Sequence, residues 1–141
     1  DVDSVTLFED RLLIAFPPGG ADAFPGAVTP AVIDEEKLLL LEDGHCLKDH
    51  ALAACNRPEL RAEASIMGTS LHTLVQMVDN GLGMTLVPEM AVKAGLLDNT
   101  GVEARALKAE HAFRRIALVW RRGSPREKEF NLLADALKAA A

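Results

Sequence analysis

Glu42-Asp43-Gly44-His45-Cys46-Leu47-Lys48-Asp49-His50-Ala51-Leu52-Ala53-Ala54-Cys55 holds both cysteines and two of the four histidines of this 141-residue chain. Asp43-Gly44 is a turn signal, and the residues after it favour a helix. On a helix the nine steps from Cys46 to Cys55 span roughly 13 Å and end on the opposite face. A disulfide needs Cα atoms about 4.4–6.8 Å apart. The thiols therefore cannot pair while such a helix stands, and the helix cannot survive their pairing. That is the physics of a redox switch.

A plainer reading makes both cysteines inert buried hydrophobes. Cys55 fits it, sharing the i, i+4, i+7, i+8 stripe of Leu47, Ala51 and Ala54. Cys46 lies off that stripe, in the predicted first turn, where backbone N–H groups and the helix dipole favour a thiolate. The thiolate is the form that peroxides oxidise. Asp49 and His50 follow it by three and four residues, on the same face. A carboxylate there works against a thiolate. Asp49 therefore suits positioning of a polar substrate or proton, balanced by a cation elsewhere; a solvated helix face accounts for Asp49 and Lys48 too.

The surrounding pattern is α/β. Residues 37–41 read as a buried strand that delivers Cys46 at its carboxyl end, where open α/β sheets bind ligands. Upstream, residues 5–16 are strand-like, with Glu9-Asp10 between two apolar runs and the second run buried on both faces. Pro17-Pro18-Gly19-Gly20 and Pro25-Gly26 mark a loop, followed by a short helical turn over 31–35. Downstream, Pro58 ends the switch helix and residues 61–67 suggest a strand. Thr69 or Ser70 caps a helix over 71–80, with Leu71, Leu74, Val75 and Val78 as its apolar stripe and Gly81 closing it. A strand over 84–87, a short helix over 89–95, an edge strand near 102–106 and a clear strand over 116–120 follow. Ser124-Pro125-Arg126-Glu127 is a complete helix start, leading to a helix that buries Phe130, Leu133 and Leu137.

Composition sets outer bounds. With 49% hydrophobic residues the chain can form a real core, and a domain of this size buries about 68–70% of its unfolded surface. A net charge of −6 makes this piece alone a poor nucleic-acid binder. No apolar run reaches the roughly 18 residues of a membrane span. Two cysteines without a disulfide framework suit a reducing cytosol. No Gly-rich phosphate loop, His-rich metal spacing or Cys-x-x-Cys pair is present.

Leu39-Leu40-Leu41-Glu42-Asp43-Gly44-His45-Cys46-Leu47-Lys48-Asp49, with Cys55, resembles the sensor segment of OxyR-type peroxide-responsive regulators of the LysR family of bacterial transcription factors. The likeness continues through Gly68-Thr69-Ser70-Leu71-His72-Thr73-Leu74, Gly81-Leu82-Gly83-Met84-Thr85-Leu86-Val87-Pro88 and Arg114 to Pro125, so it spans nearly the whole chain. The Gly-Leu-Gly and Arg-Gly-Ser-Pro stretches mark LysR-type effector domains generally. Gly-His-Cys with a second cysteine nine residues on marks the peroxide sensors. His50 departs from the pattern, standing where such regulators often carry an uncharged amide.

The resemblance implies a periplasmic-binding-protein-like effector domain of two Rossmann-like lobes. Residues 14–112 would form a complete second lobe, with 1–13 and 113–141 as returning parts of the first. The elements that open the first lobe, its peroxide-site threonines and the N-terminal helix-turn-helix would lie outside these residues. The piece is then a fragment, or pairs with a second copy to cover its exposed edge. The implied function is hydrogen-peroxide sensing in the cytoplasm, without enzymatic turnover, metal or cofactor. Cys46 would react with peroxide and Cys55 resolve it into a Cys46–Cys55 disulfide. His45, Asp49 and Arg114 would position peroxide, Arg114 also balancing Asp49. Thr69 and Ser70 would be donors at the effector cleft, although capping explains them equally well; a surface arginine at a strand start likewise explains Arg114. Implied partners are a homodimer or tetramer, promoter DNA through the helix-turn-helix, and glutaredoxin or thioredoxin for resetting. Two rivals are an ordinary metabolite-binding LysR effector domain and a thiol peroxidase. Asp43, at the third position before Cys46 where a peroxidase-like Thr-x-x-Cys needs threonine, argues against the latter.

Overall fold

A computed structural model describes residues 1–41, 49–50, 53, 67–68 and 70–141. The element order is β1 (Val2–Phe16), β2 (Leu40–Leu41), β3 (Met67–Gly68), α1 (Leu71–Asp79), β4 (Thr85–Pro88), α2 (Glu89–Lys93), β5 (Glu103–Ala106), β6 (Phe113–Arg121) and α3 (Glu127–Ala140). Two compact units form: Arg11–Phe113, and Asp1–Asp10 together with Arg114–Ala141.

In the larger unit, the second half of β1 is flanked on both sides. Leu12 to Ala15 pair antiparallel with β4, and Leu13 to Phe16 pair antiparallel with β5. Side chains of a strand alternate between faces. Leu12, Ile14 and Phe16 thus join Leu38, Leu40 and Leu86 in one core, while Ala15 joins Leu39, Leu41 and Val87 in another. Two covered faces explain why the run reads as continuous apolar sequence rather than as alternation.

The strand expected over 37–41 is shorter. Asp34 accepts the Glu36 N–H at Oδ1 and the Lys37 N–H at its carbonyl, closing a 3-10 turn over Glu35–Lys37. Such local bonds compete with extended pairing. Leu38 makes only a bridge to Met84, and Leu40-Leu41 pair parallel with Met67-Gly68. The helical turn expected over 31–35 is a 3-10 turn at Pro30–Val32. Of the strand expected over 61–67, only Met67 is described, in β3; the rest of it, and the switch-helix end at Asn56-Arg57-Pro58, lie outside the described residues.

α1 buries Leu74, Val75 and Val78, with Leu71 half-buried. Gly81, at φ +78°, turns the chain out of the helix as glycine does most readily. Gly83 serves a different need: a Cβ there would run into the Lys37 carbonyl oxygen. That closeness lets Met84 accept from the Leu39 N–H and donate to Lys37, each at 2.8 Å.

The smaller unit is two strands and a helix. Arg122 donates to the Asp1 carbonyl while Arg114 meets Asp10, so β6 runs antiparallel to the first half of β1. Ser124 Oγ accepts the Arg126 N–H at 3.3 Å, and the first full helical bond runs from Phe130 to Arg126. The expected buried side of α3 needs correction. Ala134 is its buried residue, Phe130 is half-buried against Trp120, and Leu133 and Leu137 are 48% and 40% exposed. A small residue at the contact lets the helix approach closely, which leaves the leucines on the flanks.

Candidate functional site

Parallel pairing of β2 with β3 brings their carboxyl ends, Leu41 and Gly68, to one edge of the larger unit. From Leu41 the chain enters the stretch that contains His45 and Cys46; from Gly68 it reaches Ser70 and α1. The edge is well anchored. Thr85, one of the two buried polar or charged side chains among the described residues, donates from Oγ1 to the Leu39 carbonyl at 2.8 Å. Ser70 has extended backbone, its Oγ accepts the Thr73 N–H at 3.1 Å, and it lies 2.9 Å from Thr73 Oγ1. Capping by Ser70 is therefore realised. α1 starts at this edge with the amide-rich end that suits polar or anionic groups.

His45, Cys46, Cys55 and Thr69 lie outside the described residues. Asp49, His50 and Ala53 are helical, Asp49 exposed and His50 half-buried. Among the described residues no cluster of three or more His, Cys, Asp or Glu could hold a metal ion.

Arg114 belongs to the smaller unit, near the start of β6. Its Nε donates to Asp10 Oδ2 at 2.9 Å; the Asp10 side chain is 2% exposed and that of Arg114 21%. Asp10 is a buried charged residue that sequence patterning did not single out. Its signal was the second residue of Glu9-Asp10, just ahead of a buried run, and its meaning needs the pairing of two strands far apart in sequence. A carboxylate this deeply buried is tolerable because a cation meets it.

The profile of the LysR substrate binding domain matches residues 1–141. The chain belongs to the LysR substrate-binding domain family. This LysR domain is 38% identical over 135 residues to the DNA-binding transcriptional dual regulator OxyR of Escherichia coli K12, covering 96% of this chain and 44% of that protein. It is 39% identical over 107 residues to the HTH-type transcriptional regulator EstR of Acinetobacter baylyi, covering 75% of this chain and 35% of that protein. Among solved structures it matches the reduced form of the regulatory domain of OxyR2 from Vibrio vulnificus, with a TM-score of 0.82 at 38% identity, over 99% of this chain and 66% of that one. The LysR domain thus spans less than half the length of the curated relatives it matches. No helix among its described residues is long and apolar enough to cross a membrane.

Proposed function

We propose that this domain senses hydrogen peroxide for a cytoplasmic LysR-type transcription factor. One observation carries the reading: a cysteine pair nine residues apart follows directly on β2, in a chain 38% identical over 96% of its length to a regulator named OxyR. The Cys46 thiolate attacks one peroxide oxygen and the O–O bond breaks. Sulfur is oxidised to the sulfenic acid, and hydroxide leaves and takes up a proton as water. The Cys55 sulfur then attacks the sulfenic sulfur; the S–S bond forms and a second water departs. His45 and Asp49 position peroxide and handle the proton, and Arg114 supplies the cation that offsets Asp49. Thr69 and Ser70 act as donors to an effector.

Joining the two sulfurs dismantles the helix between them, an order–disorder switch. The domain assignment follows the family pattern: 14–112 as the sensing lobe, 1–13 and 113–141 as returning parts of the other. In the intact regulator, a dimer or tetramer, the refolded segment alters subunit packing and the promoter contacts of a helix-turn-helix domain outside these residues. Glutaredoxin or thioredoxin reverses the disulfide. The domain signals stoichiometrically rather than turning peroxide over.

Mass spectrometry of the reduced protein after one equivalent of peroxide tests this. The expected result is a two-dalton loss on the peptide pair joining Cys46 to Cys55, since disulfide formation removes about two hydrogens. It should vanish in Cys46→Ser. Thiols that stay reduced would leave a metabolite-binding LysR domain; rapid repeated consumption of peroxide with a thiol reductant would make it a peroxidase.

A further inference from the structure

We infer that the Thr85 hydroxyl sets a conformational boundary inside the larger unit: it ties the chain to the main sheet at Leu39, and lets β2, paired with β3, open separately beyond it. The hydrogen bonds around Leu39 carry this. Met84 donates to the Lys37 carbonyl and accepts the Leu39 N–H, both at 2.8 Å, which makes the parallel bridge between Leu38 and Met84. In a continuing parallel ladder the pattern repeats two residues on, so the Leu39 carbonyl would next accept the Leu86 N–H. Among the described residues that bridge stays isolated, and the Leu39 carbonyl accepts from Thr85 Oγ1 at 2.8 Å. From Leu40 onward the chain pairs with Met67-Gly68 in a two-stranded sheet of its own.

Thr85 is well placed to end the ladder. Its backbone pairs with Ala15 of β1, a strand that β5 flanks on the other side, so the hydroxyl stands on rigid backbone. Thr85 and Leu39 are both buried, and the hydroxyl satisfies a carbonyl that water does not reach. Proteins open in contiguous units that differ in stability. On one side of Leu39 lie the paired strands β4, β1 and β5; on the other, β2 keeps two residue pairs with β3 and the side-chain burial of Leu40 and Leu41. A rearrangement that enters β2 from its carboxyl end therefore stops between Leu40 and Leu39, and the main sheet keeps its register. That such a rearrangement accompanies peroxide sensing rests on the function proposed above; the boundary itself does not.

The test is amide hydrogen exchange in low urea on the reduced 141-residue protein, without peroxide, in the parent, Thr85→Val and Thr85→Ser. Thermal melting confirms that each variant is folded. In the parent, Leu40 and Gly68 should exchange at least about tenfold faster than Leu39 and Met84. Thr85→Val keeps the shape of the side chain and removes the donor, so Leu39 and Met84 should speed up by about tenfold and join the faster class. Val28 and Lys108, bonded beside β5, should stay within about twofold of the parent. Thr85→Ser, which retains a hydroxyl, should keep the two classes apart. A parent in which Leu39, Leu40, Gly68 and Met84 exchange as one class has no boundary, a result that decides the matter even if Thr85→Val fails to fold. Thr85→Val that leaves Leu39 unmoved, or speeds Val28 and Lys108 equally, also overturns the inference. None of these outcomes bears on whether the cysteines react with peroxide, which the mass-spectrometric test decides separately.

Discussion

One ion pair contributes a small share to how the larger unit responds to acid. Arg11 donates from Nε and Nη2 to the two Glu89 carboxylate oxygens at 3.4 and 3.2 Å, and Lys93 adds a contact at 3.7 Å. The hydrogen bond from Arg11, outweighing the opposing effect of burial, holds the Glu89 carboxyl below its ordinary value of 4.5. A carboxyl with a depressed native pKa stabilises the fold above its unfolded value and loses that contribution as pH falls through the lower native value. Melting curves should therefore show Arg11→Ala differing from the parent at pH 7 and converging with it at acid pH below the native Glu89 value. Equal spacing of the two melting temperatures at every pH would remove the linkage. Asp10 shows why such residues hide in sequence. Next to Glu9 it reads as a polar break between two apolar runs, yet Glu9 faces solvent and Asp10 turns inward to Arg114. Sequence patterning sees neighbours along the chain, and this partner is supplied from the far end of it.

Among the elements, the Gly81-Leu82-Gly83 turn has two glycines for two reasons. Gly83→Ala should be the costlier change, because the added Cβ meets the backbone oxygen of Lys37 rather than a side chain that can move. About 1–3 kcal/mol is the usual scale for forced overpacking. Gly81→Ala meets nothing within 4 Å and carries only the strain of positive φ, about 1 kcal/mol. Urea denaturation of the two variants gives the order; a reversed order would contradict the close approach. The strand positions along the chain, though not their pairing, the α1 stripe and the Ser70 cap were legible because each depends on periodicity or a local bond. The phase of α3 was not. Three large apolar residues, Phe130, Leu133 and Leu137, suggested its inner face, whereas Ala134 is its buried residue and only Phe130 of the three is half-buried, against Trp120. Ala134→Leu should accordingly destabilise by about 1–3 kcal/mol, while Leu132→Ser, at 70% exposure, should stay within about 0.5 kcal/mol. The opposite outcome in chemical denaturation would return α3 to the phase read from its leucines.

At the scale of the molecule, the two units differ in how well they cover themselves. The larger one closes two cores around its strands. The smaller one leaves Val2, Val119, Leu132, Leu133 and Leu137 exposed and buries the Trp120 indole N–H without a hydrogen-bond partner. Apolar surface of this kind favours association. At tens of micromolar, light scattering should give the 141-residue chain a mass above that of a monomer; a stable monomer would refute pairing through this surface. Parallel strands that end together at Leu41 and Gly68, on either side of the cysteine-bearing stretch, tie this architecture to the proposed chemistry. The proposed chemistry requires that helix and disulfide exclude one another. Hydrogen exchange at the amides of Asp49, His50 and Ala53 measures this most directly, before and after one equivalent of peroxide. All three are helical in the structure, so protection is expected in the reduced protein and should be lost once Cys46 and Cys55 are joined. Protection that survives in a protein shown to carry that crosslink would contradict the account.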